Sequence, residues 1–333
     1  MTQPFDLVIM GHVALDTVIH VDRGIRSVHK VSLGGAVTFS SLATKTSNPA
    51  LNVGIATKTG NDFPDDLLAS FTTLGVDTSA ILRDDGAGTT RFELVYEGAS
   101  RALSCTVQCS PLRVDELPDN VLSTKSVHLG PLCREIDASF IERLGELLPR
   151  ETIVGVDLQG FLRNVHEDGT ISFISPAEGE RMVSLLHETF GPRLVIKGDD
   201  AECRAIMPGG EASNSAPKTM SFFLEAYPGA TILITSGRYG SIVGRNDGTV
   251  PRARRIPAFR PRAIVDETGA GDTFLGSFLS RLNGPPRDIV SCEAAAFFAS
   301  AASSFLVEGA GFDGLRTVPE IEARVTSRRY FTE

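Results

Sequence analysis

Cysteine is scarce in this sequence. Five occur in 333 residues (Cys105, Cys109, Cys133, Cys203, Cys292), an odd number with no Cys-x-x-Cys pair. That argues against a disulfide framework or a zinc site and fits a reducing cytoplasm. The six histidines are scattered and show no metal-ligand spacing. Positive charge is also short: the formal net charge of −9 argues against a nucleic-acid partner. The densest basic cluster, Arg252-Ala253-Arg254-Arg255, is expected to be a solvated loop face. No apolar run is long enough to cross a bilayer, so no membrane partner is expected. No basic segment precedes the first apolar run, which makes Phe5–Val13 a first strand rather than a signal peptide. Repeats, low-complexity tracts and linkers are missing too, and 42% hydrophobic with 22% charged residues is a globular balance. One domain over residues 1–333 is expected.

What the chain does have is a stretch running from Ile264-Val265 through Asp266-Glu267-Thr268-Gly269-Ala270-Gly271-Asp272 into Thr273-Phe274. Beyond it, Phe274, Phe278 and Leu282 recur at helical spacing. The stretch reads as strand, tight turn and buried helix. The two glycines remove the Cβ atoms that would keep a ligand from the backbone, so successive N–H groups can converge on one anion at a helix N-terminus. Asp272 falls on the helix's first turn, where an acidic residue is also an ordinary stabilising cap. That plain alternative does not explain why Asp266, two glycines and Asp272 stand together. If the amides hold a transferring phosphoryl group, a carboxylate beside them can take the proton of an attacking hydroxyl. No Gly-Lys-Ser/Thr follows the glycines, and Phe274 stands where a dinucleotide motif needs its third glycine.

Earlier in the chain, Asp16 lies just past a strand-like run, at the sheet edge where ligands bind in open parallel sheets or simply in a turn. Gly34-Gly35-Ala36-Val37-Thr38-Phe39 opens a helix, either as a flexible turn or as backbone that approaches a polyol closely. Runs at Thr89–Tyr96 and Arg101–Val107 read as a hairpin. From Val127 onward, β-branched runs (Ile153–Val156, Leu194–Ile196, Thr231–Ile234) alternate with amphipathic segments, which implies a parallel sheet covered on both faces. Lys197-Gly198-Asp199-Asp200-Ala201-Glu202 gathers acids at a strand end, as an ordinary acidic helix start or beside a hydrated Mg²⁺.

Asp266–Phe274 resembles the signature of the ribokinase-like (PfkB) carbohydrate and nucleoside kinases, and the other landmarks follow in that family's order. The resemblance implies a three-layer α/β/α fold with a predominantly parallel sheet and a small β-sheet lid, built from segments near 16–34 and 88–108. It implies that Asp272 is the catalytic base, that Gly269, Ala270 and Gly271 form the anion hole, and that Asp16, Gly34, Gly35 and Phe39 meet the substrate. Arg163, in Asp157-Leu158-Gln159-Gly160-Phe161-Leu162-Arg163, either reaches phosphate or substrate or is a plain surface arginine. Lys197, Asp199 and the turn Thr235-Ser236-Gly237-Arg238-Tyr239-Gly240 are expected on the ATP side, with Gly309-Ala310-Gly311 beside the adenine. Glu202 is expected to hold Mg²⁺ through water, and Asp266 to mark a monovalent cation such as K⁺. The chain departs from the family at Phe39, where sugar-specific members carry Asn, and at Gln159 and Asp199, which also replace Asn. With Gly309–Asp313, these positions resemble the branch containing myo-inositol 3-kinase. The expectation is therefore an ATP-dependent kinase of a small polyol, with a nucleoside or pentose/hexose kinase as the alternative. A catalytically silent nucleotide or sugar sensor is the competitor of another class. Relatives often pair through the lid, which makes a homodimer an expectation as well.

Overall fold

The chain opens on β1 (Leu7–Met10), buried throughout, then leaves for a hairpin of β2 (Ala14–Asp22) and β3 (Ile25–Gly34). Helix α1 (Ala36–Ser47) leads back to β4 (Val53–Gly60), and α2 (Asp65–Thr72) to β5 (Asp77–Asp84). A second hairpin follows, β6 (Arg91–Glu97) and β7 (Ser100–Val107). Strand and helix then alternate through β8 (Ser126–Leu129), α3 (Ala138–Leu147), β9 (Ile153–Asp157) and the short α4 (Leu158–Phe161). After a small hairpin, β10 (Arg163–Val165) and β11 (Ile171–Phe173), come α5 (Pro176–Phe190), β12 (Leu194–Asp199), α6 (Asp200–Ala205) and α7 (Ala216–Ala226). Strands β13 (Thr231–Thr235), β14 (Ser241–Arg245) and β15 (Arg252–Ile256) precede the helices α8 (Ala270–Ser280), α9 (Ile289–Leu306) and α10 (Val318–Ser327). The structure, a computed structural model, describes residues 3–22, 25–97, 100–207, 215–248, 250–282, 284–285 and 288–331.

Among the described residues the main sheet has the order β15-β14-β13-β12-β9-β8-β1-β4-β5. It is parallel from β13 to β5, and β14 and β15 join antiparallel. Its apolar strands are covered on both faces, as parallel sheets require. Phe140, Leu144, Val183, Leu186 and Phe223 cover one face from α3, α5 and α7. Val37, Leu42, Phe274, Phe278 and Ala296 cover the other from α1, α8 and α9. These are the three layers that the alternating pattern implied.

The two early hairpins form a separate small sheet of order β3-β2-β6-β7. Each hairpin is antiparallel, but β2 and β6 join in parallel, because they enter the sheet from distant points of the chain. On its inner side Phe92, Leu94 and Cys105 pack with Ala14, Leu132 and Cys133.

Several local expectations need correction. The first strand is only Leu7–Met10, since Gly11 turns with φ +152 where a Cβ would overlap the Gly130 carbonyl. Ile264 and Val265 lie outside the strands and are 56% and 59% exposed. The sheet edge ends at Ile256, and Pro257 and Pro261 lack the N–H that would extend it. Arg252–Arg255 is an exposed edge strand rather than a loop, a placement in which charge discourages edge-to-edge pairing. Helix α9, with 18 residues and a mean hydropathy of 1.5, is long and apolar enough by those measures to cross a bilayer. Glu293 and its serines interrupt the apolar run and hide this in the sequence. The helix packs against α8, α10, β14 and β15.

Candidate active site

The decisive local geometry is the start of α8. Gly269 caps it in the left-handed region, φ +76, and supplies no side-chain cap. A Cβ there would overlap the Phe39 ring, so both backbone angle and packing demand glycine. The Ala270 amide bonds the Glu267 carbonyl at 3.3 Å and the Thr273 amide the Gly269 carbonyl at 2.8 Å. Among the described residues the amides of Gly271 and Asp272 have no hydrogen-bond acceptor. Unpaired donors at a helix N-terminus are what an anion site requires. Behind the turn, the Asp266 carboxylate accepts from the Thr268 amide at 2.9 Å and the Gly311 amide at 3.4 Å, tying the turn to the loop after α9.

Asp272 stands on the floor of a cavity of about 370 Å³. Burial first, and the Asp157 carboxylate next, push its pKa up to about 7, against the pull of Lys197 and Arg163. Asp157 and Lys197 are register partners on β9 and β12, and their buried side chains form an ion pair at 2.7 Å. Burial works against the Lys197 ammonium, yet Asp157 and Glu202 outweigh it and hold it charged above the usual lysine range. At the start of α6, Asp199 and Glu202 cap each other's amides, both at 2.8 Å. Burial pushes Glu202 up to about 7. Ser40 Oγ donates to the Asp272 carbonyl at 2.6 Å and lies 2.9 Å from Nδ1 of His128, which burial keeps neutral with a pKa near 4.

Asp16, Gly35, Phe39, Gln159 and Arg163 line the same cavity. Gly34 lies directly beneath the Asp16 carboxylate, which a Cβ would displace. Arg163 donates to the Leu132 carbonyl at 3.3 Å, and its guanidinium lies over the Phe92 ring, 5.8 Å from the centroid. Phe92, Leu94 and Leu103 from the small sheet, with Leu132, add an apolar patch. The lid expected from the sequence is thus a wall of this cavity.

A second cavity of about 180 Å³ begins where the first ends. Thr235, Glu267, Ala270 and Gly271 line both. Gly237 and Gly240 lie on its rim, and Ala258, Phe259, Phe274 and Val307 make it largely apolar. Gly240 holds φ +89 against the Ile256 carbonyl, where a Cβ would overlap. In the loop Gly309–Gly311, expected beside an adenine, the Gly311 amide meets Asp266, and Phe312 packs on Phe39 at 5.3 Å.

In a comparison of the sequence with family models, the pfkB family carbohydrate kinase model matches residues 166–315. Over that segment the chain is similar to this family. The match to the kinase model and the kinase relatives together support a phosphotransferase acting on a hydroxyl group. The chain is 25% identical over 280 residues to a cytidine kinase of Thermococcus kodakarensis, covering 83% of this chain and 87% of the relative. A ribokinase structure from Giardia lamblia superposes with a TM-score of 0.77 at 18% identity, over 98% of this chain and 99% of that one. A pyrophosphate-dependent kinase of the ribokinase family, solved with a pyrophosphate analogue and myo-inositol, superposes with a TM-score of 0.69 at 22% identity, over 95% and 99% of the two chains.

The structure gathers the residues singled out in the sequence around these two cavities of the kinase, with Gly34 just beneath Asp16 and Asp266 just behind the turn. Sequence reasoning missed Asp157 as the partner of Lys197, although it ends a buried strand run. It also missed the apolar wall, whose signal was the alternation of Phe92 and Leu94 along β6. Nothing in the sequence marked Ser40 and His128.

Proposed function

We propose that this kinase transfers the γ-phosphoryl group of ATP to a hydroxyl of a small cyclic polyol, with myo-inositol as the first acceptor and Asp272 as general base. The observation that carries the reading is the meeting of two unlike cavities at the bare start of α8. The apolar one suits a purine, and the other, with Asp16, Gln159 and Arg163, suits a hydroxyl-rich ring. The amides of Gly271 and Asp272 receive the phosphoryl oxygens, and Asp272 accepts the acceptor's proton. With a pKa near 7, Asp272 is matched to proton transfer at neutral pH, a contribution of ~10²–10⁴ in rate. Asp16, over Gly34, orients the acceptor hydroxyls.

Among the described residues no group of three or more His, Cys, Asp or Glu could hold a metal directly. Glu202, an oxygen donor on the cavity wall, fits a hydrated Mg²⁺ gripped through water and donor phosphates. When bound, that ion would neutralise phosphate charge. Asp266 is the position for a monovalent cation such as K⁺, and the exposed Ile25, Val28 and Val31 of β3 offer the lid face for a homodimer.

Phe39 and Gln159, both lining the larger cavity, favour the polyol reading. A nucleoside acceptor is the second reading, favoured by the apolar patch Phe92, Leu94, Leu103 and Leu132 and by the cytidine kinase relative. The test is product formation with Mg²⁺ and either ATP or pyrophosphate, across myo-inositol, ribose, fructose, adenosine and cytidine. Turnover of myo-inositol with ATP alone is expected. Turnover only of a nucleoside or sugar overturns the acceptor, and turnover only with pyrophosphate overturns the donor. ATP binding without turnover on any acceptor favours a sensor.

A further inference from the structure

The Lys197–Asp157 pair has a placement that stability does not account for. A buried ion pair contributes little net stability, because desolvation offsets its Coulomb attraction. This one lies on the cavity floor, where sheet register sets Lys197 opposite Asp157 and the ammonium donates to Asp157 Oδ2 at 2.7 Å. The same Nζ lies 2.7 Å from where a Cβ of Gly271 would stand, so the glycine of the anion turn is also what admits the ammonium beneath it. The charged and titratable groups around Asp272 are Asp157 on β9, Lys197 on β12, Arg163 on β10 and Asp16 on β2. Glu202 on α6 lies beside Lys197, and neutral His128 reaches the Asp272 backbone through Ser40.

We propose that Lys197 and Asp157 are positioning residues that act on the base in opposite senses: the ammonium beneath Gly271 keeps Asp272 ionised, while the Asp157 carboxylate anchors that ammonium and opposes ionisation. The two halves of one ion pair thereby poise the base between a free carboxylate, too weak to take a proton, and a neutral acid, unable to. Asp157, Lys197 and Asp272 line one cavity, so both charges of the pair bear on the base. The proposal rests on Asp272 being the base.

The experiment is the pH profile of kcat/KM at saturating donor, whose acid limb reports the base. The wild-type limb is expected near pH 7, from the Asp272 value. Lys197→Met should move it up by about 1 unit or more and Asp157→Asn down by about 1 unit, the size of a neighbouring charge's effect. The double variant should fall between them. A structural pair would lower activity in both variants with the limb unmoved, and a lysine serving only as a phosphate contact would raise donor KM with the limb unmoved. Either result, or shifts in one direction, overturns the proposal. If Lys197→Met fails to fold, Asp157→Asn decides: a downward shift supports the proposal and an unmoved limb overturns it. Near-normal turnover in Asp272→Asn would sink the base itself, whereas a dead Asp272→Asn with unmoved limbs sinks only this inference.

Discussion

Two helices begin at the wall of the same cavity and are built in opposite ways. At the start of α6, Asp199 and Glu202 satisfy each other's amides in a closed capping box, and the helix end is complete in itself. At the start of α8, Gly269 offers no side chain, and the amides of Gly271 and Asp272 are left without acceptors. The ordinary solution to a helix end is the first, since unpaired buried donors are costly. The second persists because close packing enforces it: the Phe39 ring excludes any side chain at Gly269, and Lys197 lies against Gly271. One helix end closes on itself, fixing Glu202 on the cavity wall, and the other leaves its amides open to the cavity.

Substitutions can break that contrast, beginning with the bare end. Gly269→Ala forces a Cβ into the Phe39 ring and a left-handed angle on a residue that resists it. Distorting an anion hole by one donor costs ~10²–10³ in turnover, so a loss of that order is expected in steady-state kinetics. The capped end should respond differently. Asp199→Ala removes the cap and should cost ~1 kcal/mol of stability, read as a lowered melting temperature, with turnover changed less than by Gly269→Ala. If Asp199→Ala were instead the more damaging to turnover, the open end of α8 would not be the one that carries the chemistry.

The sequence made the open start of α8 more legible than its surroundings. Glycines at 269 and 271 with Asp272 on a helical first turn can be read because each residue type answers a local demand of backbone angle or charge. The layered sheet was readable for the same reason, as apolar strand runs between amphipathic helices. The strand expected at Ile264–Val265 failed because β-branched composition says nothing about whether a partner strand lies alongside. The pairing of Lys197 with Asp157 depends on register between strands 40 residues apart, and the His128–Ser40 contact on two segments 88 apart. Such pairings leave no local pattern. The acceptor is legible only as a class, because polar and apolar residues contribute to the same wall.

The central claim is that the open end of α8 transfers phosphoryl groups with Asp272 as base. The most direct test is steady-state turnover of Asp272→Asn, with donor binding measured on the same preparation. The account predicts a loss of ~10²–10⁴ or more in kcat with donor affinity nearly unchanged. Near-normal turnover would contradict it.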